Sequence, residues 1–369
     1  MKQLDGLRAF AIFFTMVTHF VVQTDSPMGR LVPRGQLGVR PFFVISGFLI
    51  TRILLRCRLE EDRWRELRMF YCRRVLRIFP LYYATLAVTA LVNIRPVRQT
   101  LWWHVAYLSN FYQVFQNAEL HSVVNHLWSL SVEEQFYMFW PCLILFLPRR
   151  YLLNAMIATV CLGPLSRFIG FTLHIPSFGS LPSSCMDALG IGAIMAYCQD
   201  KVLGSADAAT RFTQIMKWIG LPSFGLFFVT KAAGIALPGA PFLADLAAAF
   251  AFGWLVSRAA SSFKGPVGKV LEMKPVRYIG RISYGIYLLH AFMPTILFYL
   301  LKWSHLSLRE DSWLRFPLLA GMSVAAASLS WRFLESPINS YKRYFNYARA
   351  GRGSEIRVKQ VEYSEALAG

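Results

Sequence analysis

Long apolar stretches, separated by short polar or basic segments, run along most of the chain. About 20 apolar residues are enough to cross a bilayer as a helix. Ten stretches come near this length: 4–22, 37–55, 76–94, 128–147, 151–173, 185–200, 214–231, 240–257, 280–301 and 314–334. The pattern predicts an all-α integral membrane protein with about ten transmembrane helices. An even number of spans puts both termini on one side of the membrane.

The distribution of Lys and Arg predicts which side that is. With the N-terminus in the cytoplasm, the inner segments hold 29 of the 39 Lys and Arg, the outer segments hold nine, and Arg167 falls within a span. Because cytoplasmic segments of membrane proteins are enriched in Lys and Arg, both termini are predicted to be cytoplasmic. The net charge of +19 is therefore interpreted as a belt that faces anionic lipid or an anionic cytosolic ligand, with no nucleic-acid partner.

Composition changes this picture little. Hydrophobic residues make up 55% of the chain, which is typical of a membrane protein. The six cysteines form no CxxC pair and no ligand spacing with His, so we predict neither a disulfide framework nor a metal site. We assign residues 1–338 to one membrane domain and 339–369 to a polar cytoplasmic tail that is partly disordered.

A basic segment follows the second span. Between positions 52 and 77 the chain has nine Arg and four acidic residues, with apolar side chains at helical spacing. This pattern predicts an amphipathic basic helix on the cytoplasmic face. The segment ends in YCRRVLRIF, where Arg74 and Arg77 are three residues apart and share one helix face. With Arg73, they could bind phosphate, since guanidinium pairs bidentately with phosphate oxygens; the alternative is contact with lipid headgroups.

The first apolar stretch contains an arginine and a histidine on one helix face. Arg8 and His19 are eleven residues apart, so they share one face of a helix, roughly 16 Å from each other. Ionisable groups within a span are costly and mark functional sites. The alternative is that Arg8 is a membrane anchor and His19 lies at the interface.

Adjacent carboxylates lie inside the fourth stretch. Glu133 and Glu134 occur in HLWSLSVEEQFY and point about 100° apart on a helix. In an antiparallel neighbour, Glu133 could reach the level of His19. A carboxylate beside an imidazole orients the ring and raises its basicity, which predicts a general base. The alternative is a structural ion pair with Arg40 or another buried cation.

Other residues in the spans are candidates for a substrate pocket. Arg40 is either an interfacial anchor or a charge that lines a cavity, and Ser46-Gly47 allows close helix contact or a local break. Asp187 is expected to pair structurally with Arg167. The predicted pocket residues are Arg40, Ser46, Glu134, Tyr137 and His290, although His290 is also consistent with a hydrogen-bonded core histidine.

Six segments together resemble the membrane-bound acyltransferase 3 family of bacterial O-acyltransferases. They are LDGLRAFAIFFTMVTHF, GVRPFFVISGFLIT, RRVLRIFPLYY, HLWSLSVEEQFY, ISYGIYLLH and WRFLESPI, which occur in the family's order between positions 4 and 338. One departure is Arg40-Pro41, where many relatives have an acidic residue before the FFVISGF segment.

The resemblance implies a ten-helix core in the bacterial cytoplasmic (inner) membrane. It implies transfer of an acyl group, usually acetyl, from cytosolic acyl-CoA to a hydroxyl of an extracytoplasmic or lipid-linked glycan. Arg8 and His19 match the family's R-x10-H pair, whose His is taken as catalytic, and Arg74 and Arg77 match its RxxR motif on the acyl-CoA side. Glu133 matches the more regular acid of its SVEEQFY segment.

We therefore hypothesise that His19, oriented by Glu133, deprotonates the acceptor hydroxyl, with Arg8 on the donor side and no metal involved. A covalent intermediate on His19, Ser46 or a tyrosine is the alternative to direct transfer. Two rival functions remain at this level: an exporter of an anionic or lipid-linked sugar, and a membrane scaffold or sensor that has lost the chemistry.

Overall fold

The computed structural model describes residues 1–21, 36–92, 94–116, 120–200, 202–235, 237, 239–309 and 312–347. Within these ranges the chain is helical and has no strand, which confirms the predicted all-α class. The α-helices are α1 Lys2–Phe20, α2 Gln36–Cys57, α3 Arg63–Leu91, α4 Arg95–Gln99, α5 Leu101–Val105, α6 Ser109–Phe115, α7 Ser122–Asn125, α8 Leu127–Phe146, α9 Arg149–Thr172, α10 Pro182–Cys198, α11 Ala206–Ile215, α12 Leu221–Ala232, α13 Ala240–Ala260, α14 Gly265–Glu272, α15 Lys274–Arg281, α16 Ser283–Leu289, α17 Met293–Trp303, α18 Arg315–Ser330 and α19 Ser336–Ser340. Single 3₁₀ or π turns occupy Phe178–Ser180, Met216–Gly220, His290–Phe292, Trp331–Glu335 and Tyr341–Tyr344.

Six helical segments of the described chain are long and apolar enough to cross a membrane. They are Gly38–Cys57, Arg63–Leu91, Arg149–Thr172, Ala206–Ala232, Phe242–Ala260 and Ser283–Trp303. Each of the ten predicted stretches is largely helical, but the number of ten spans stays a prediction. Helices α10 and α18 have only 17 and 16 residues, and α1 and α8 carry the charged side chains described below, which lower their hydropathy.

The amphipathic basic helix that we predicted on the cytoplasmic face is not confirmed, because the basic residues from Arg63 onward begin the long helix α3. Helix α2 continues to Cys57, and the next helix begins at Arg63, where the Asp62 side chain accepts a hydrogen bond of 2.8 Å from the Arg65 amide. Helix α3 then runs without a break through the predicted third span to Leu91. Once a helix has nucleated, each further residue adds a hydrogen bond at low cost, and no glycine interrupts this stretch.

Close helix contacts hold the centre of the bundle. A Cβ added at Gly47 of α2 would lie 2.0 Å from the carbonyl oxygen of Leu189, and one at Gly192 of α10 would lie 2.2 Å from that of Val44. Only glycine permits the two backbones to approach so closely. The small residues at Ser46-Gly47 therefore allow the close packing that was predicted, and they bring the Ser46 side chain into the bundle interior.

Two segments outside the long helices also pack against the bundle. The short helices α4 and α5 lie against α3, α6 lies against α8, and α7 contacts the turn His290–Phe292. Tyr82 Oη of α3 donates to the His104 carbonyl oxygen at 2.7 Å. At the other end of the chain, α19 and the turn that follows it contact α3. Residues 339–347 of the predicted tail are thus part of the fold, whereas 348–369, where disorder was predicted, lie outside the described residues.

Candidate active site

A cavity inside the bundle brings together residues from five long or short helices. Its volume is about 100 Å³. We call it the inner cavity; its polar lining residues are Arg8 from α1, Ser46 from α2, Arg74 and Arg77 from α3, Ser129, Glu133 and Tyr137 from α8, and Ser283, Tyr284 and Tyr287 from α16. Residues far apart in the sequence, from the first to the ninth predicted span, therefore contribute to one site.

Three side chains of the inner cavity form a hydrogen-bonded group. Ser46 Oγ donates to Glu133 Oε1 at 3.0 Å. The Tyr137 hydroxyl lies 3.0 Å from both Ser46 Oγ and Glu133 Oε2. Since Tyr137 follows Glu133 by one helical turn, α8 presents both side chains to α2. This arrangement holds the Ser46 hydroxyl between a carboxylate and a phenol.

A second cavity adjoins the first and has a volume of about 270 Å³. We call it the outer cavity, without reference to a side of the membrane. The two cavities share the lining residues Arg8, Ser46, Arg74, Arg77 and Tyr137. Arg73, Lys342 and Tyr347 line only the outer cavity. The outer cavity is thus lined by four Arg and one Lys, and none of its described lining residues is acidic.

Aromatic rings and carboxylates contact the arginines that line the two cavities. The Arg74 guanidinium lies over the rings of Phe70 and Tyr137, 5.5 and 5.6 Å from their centroids. Such cation–π contacts orient a guanidinium without neutralising its charge. Arg8 forms an ion pair with Asp5 at 3.6 Å, in which both side chains are partly exposed, and it lines the inner cavity together with Glu133. The described lining residues of the two cavities thus include more cations than acids.

His19 lies in a different group of side chains, formed by three histidines. The ring centroids of His19 and His126 are each 4.8 Å from that of His290 and 6.4 Å from each other. His290 Nδ1 must carry a proton, because it donates to the Tyr287 carbonyl oxygen at 2.7 Å. In the neutral imidazole, Nε2 of His290 is then the acceptor nitrogen.

The predicted direct contact between His19 and Glu133 is not found among the described residues, where the Glu133 carboxylate binds Ser46 and Tyr137. Tyr287 lies between the two groups: it lines the inner cavity, and its hydroxyl donates to the His126 carbonyl oxygen at 2.9 Å. The two predicted residues therefore belong to adjacent groups, because α16 supplies a tyrosine between α1 and α8.

Arg40 pairs with two other acids and not with Glu133, the partner that the sequence suggested for it. Its guanidinium lies 2.8 Å from the Asp187 carboxylate and also binds Asp245, and Arg167 lies 2.7 Å from Asp187. We call these four residues the ion cluster. The predicted pair of Asp187 with Arg167 is confirmed, whereas Arg40 lines neither cavity, so its predicted place in the pocket is not supported. The reason is that α10 and α13 supply two carboxylates beside it.

The other predicted pocket residues differ in their positions. Tyr137 and Ser46 line both cavities, whereas Glu134 and His290 line neither. Glu134 points away from the cavities because it follows Glu133 directly on one helix. Among the described residues, no group of three or more His, Cys, Asp or Glu side chains could hold a metal ion.

Sequence reasoning missed several residues of these groups. Asp245 is a single acid in an apolar stretch, and the rule that singled out Asp187 applies to it equally. His126 and Tyr287 lie within the quoted segments HLWSLSVEEQFY and ISYGIYLLH, but nothing in the sequence shows that the two side chains meet. Lys342 and Tyr347 lie in a polar tail with no motif, so only the tertiary fold associates them with the outer cavity.

An all-helical chain with several apolar helices of membrane-spanning length and a polar cavity between them defines a multi-pass membrane protein with an internal site. The family model of the acyltransferase 3 group, described as an acyltransferase domain, matches residues 1–332. The chain therefore belongs to the acyltransferase 3 family.

Curated relatives agree with this assignment. The chain is 29% identical over 372 residues to the peptidoglycan O-acetyltransferase OatA of Listeria monocytogenes, covering 93% of this chain and 56% of the relative. It is 28% identical over 362 residues to the O-acetyltransferase OatA of Staphylococcus aureus, with 91% and 56% covered. The chain thus spans about half the length of these relatives. No solved structure gives a significant match.

Proposed function

We propose that the protein is a membrane O-acyltransferase that moves an acyl group, in the first instance acetyl, from cytosolic acyl-CoA to a hydroxyl of a glycan or glycosylated acceptor. The observation that carries this proposal is the junction of a cation-lined outer cavity with an inner cavity that contains Ser46, Glu133 and Tyr137. Membership of the acyltransferase 3 family supports acyl transfer. The name of the Listeria relative supports a glycan, and peptidoglycan in particular, as the acceptor.

The donor is assigned to the outer cavity on grounds of charge. Acyl-CoA carries a pyrophosphate and a phosphomonoester, and arginine pairs with such groups through charge-assisted hydrogen bonds. Arg8, Arg74 and Arg77 line both cavities, so phosphate bound by them would lie at the junction. The thioester arm would then extend into the inner cavity. The distribution of Lys and Arg along the chain supports a cytoplasmic opening for the outer cavity.

For the chemical step we propose direct transfer, with His19 as the general base. His19 lines neither cavity, so in this scheme the acceptor hydroxyl lies between the histidine group and the inner cavity. His19 takes the proton of this hydroxyl as the oxygen attacks the thioester carbonyl carbon. The bond from this carbon to sulfur breaks, and the CoA sulfur leaves with the proton that His19 received. Glu133 acts in this scheme from within the inner cavity, where it fixes Ser46 and Tyr137.

The hydrogen bond between Ser46 and Glu133 also supports an alternative step at the same site. Ser46 Oγ would attack the thioester carbonyl and pass its proton to Glu133, and the thiolate of CoA would leave. The acceptor hydroxyl would then displace Ser46 from the resulting ester. The two routes differ in whether a labelled acyl group resides on the protein between donor and acceptor.

The test is transfer of labelled acetyl groups from acetyl-CoA in membrane vesicles that contain the acceptor glycan. We expect His19→Asn to lower transfer at least about 100-fold, because asparagine cannot accept the proton. His174→Asn is the matched control, since His174 is exposed and has a φ of 52°, a region that asparagine tolerates.

The results of this assay distinguish direct transfer, the covalent route and the exporter. Equal transfer by wild type and His19→Asn would exclude His19 as the base. Label on the protein that disappears in Ser46→Ala would replace direct transfer by the covalent route. Absence of transfer by wild type, with transport of the labelled glycan across the vesicle membrane, would favour the exporter.

A further inference from the structure

We propose that Lys342 and Tyr347 of the C-terminal segment 341–347, together with Arg73, form a subsite for the 3′-phosphate of the acyl-CoA donor, with Lys342 as its phosphate-binding residue. This inference rests on the proposed acyltransferase function. It adds to the donor site Lys342 and Tyr347, which lie outside the six family segments. It follows from how the cations are divided between the two cavities.

The cations form a deep set and a peripheral set. Arg8, Arg74 and Arg77 line both cavities, whereas Arg73 and Lys342 line only the outer one. In acyl-CoA the pyrophosphate lies between the thioester arm and the nucleoside, and the 3′-phosphate lies on the nucleoside, farthest from the thioester. A donor whose thioester is in the inner cavity therefore places its pyrophosphate near the deep set and its 3′-phosphate near the peripheral set.

The C-terminal segment is held in place at this cavity by Arg73. Arg73 Nη1 donates to the carbonyl oxygens of Lys342 and Phe345, both at 3.0 Å. The same guanidinium lies over the Tyr347 ring, 5.1 Å from its centroid. These contacts join α3 to the last described residues and fix the backbone that carries Lys342. The ammonium of Lys342 donates to Asn339 Oδ1, and the side chain is half-buried.

The local charges favour an anion at this point. The described lining residues of the outer cavity include no carboxylate. Burial and the nearby guanidinium groups of Arg77, Arg74 and Arg73 lower the pKa of Lys342 to about 7. Neighbouring positive charges disfavour the protonated form of a lysine, and a bound anion favours it. A phosphomonoester supplies two negative charges for this purpose.

The test compares binding of CoA and 3′-dephospho-CoA to the purified full-length protein by isothermal titration calorimetry. We expect Lys342→Gln to weaken CoA binding about tenfold, because one charge-assisted contact is lost. Its effect on 3′-dephospho-CoA should be less than about twofold, since the missing phosphate is the group that Lys342 binds. Lys342→Arg should retain the preference of the wild type for CoA.

Arg343→Gln is the matched control. Arg343 is the next residue, is exposed, and lies over the Tyr344 ring at 4.9 Å outside the cavity, so its loss should leave both affinities unchanged. Equal weakening of both ligands by Lys342→Gln, or weakening of neither, would overturn the subsite while leaving the donor site intact. Failure of the wild type to bind either ligand would instead contradict the proposed function itself.

Discussion

The ion cluster and the outer cavity are both groups of charged side chains inside an apolar bundle, but their charges are balanced differently. The ion cluster has two arginines and two aspartates, and Asp187 contacts both arginines at 2.7 and 2.8 Å. The outer cavity has five cations and no acid among its described lining residues. Burying a charge is costly unless it is paired.

The difference indicates what each group does. In the ion cluster the charges of the arginines and aspartates compensate one another. Their ion pairs fix α2, α9, α10 and α13 relative to one another. Cations without acidic partners repel one another in the ligand-free protein, and a bound anion relieves this repulsion. We therefore expect substitutions in the ion cluster to change the stability of the fold, and substitutions in the outer cavity to change ligand affinity.

The largest effect on stability is expected from Asp187→Asn. Asp187 is fully buried and bonded to Arg40 and Arg167, so the substitution leaves two buried guanidinium groups with Asp245 as their remaining acidic partner. Removal of one partner from a buried pair destabilises by about 3–5 kcal/mol. Thermal unfolding of the purified protein, with Asp207→Asn at an exposed position as the control, measures the effect. An unchanged midpoint would show that the cluster does not hold the helices together.

Arg77→Gln should behave in the opposite way. It removes one of several like charges around the outer cavity, so the unfolding midpoint should stay the same or rise. Affinity for acetyl-CoA should fall about 10- to 100-fold, because a guanidinium contact with phosphate contributes about 1.5–3 kcal/mol. The control is Arg281→Gln, which removes an exposed arginine of α15. Loss of stability with retained affinity would reverse the roles assigned to the two regions.

These two regions also show how far sequence reasoning reaches. Hydropathy and charge patterns predicted the helices and singled out Arg8, Arg74, Arg77 and Glu133 as candidates, and in the structure all four line the inner cavity. This succeeds because an ionisable group in an apolar helix needs a polar environment, and several such groups are most easily satisfied together.

Pairing within that environment was not predictable. The sequence offered Glu133 as a partner for either His19 or Arg40, and in the structure it binds Ser46 and Tyr137. Which side chains meet depends on helix rotation and depth, which the spacing of residues along one helix does not define. The contact of Lys342 with the outer cavity depends on the path of the chain after α19, which has no sequence signal at all.

The smallest effect, and the most specific one, concerns pH. Lys342 lies outside the membrane-spanning helices and has a pKa of about 7, lowered by burial and by Arg77, Arg74 and Arg73. Burial raises the pKa of the neighbouring Tyr347 to about 12, so this phenol does not titrate near neutrality.

A bound phosphate raises the pKa of Lys342, so the free protein takes up a proton when CoA binds at a pH above about 7. Affinity for CoA should therefore fall severalfold between pH 7 and 8.5, a range in which the phosphomonoester is already doubly charged. Lys342→Arg should show a flatter profile, because arginine needs no proton uptake, and 3′-dephospho-CoA should give a flat profile with wild type. Calorimetric titrations across this range measure the slopes. Equal slopes for wild type and Lys342→Arg would mean that the proton is taken up elsewhere and that the unbalanced charge of the outer cavity does not act through Lys342.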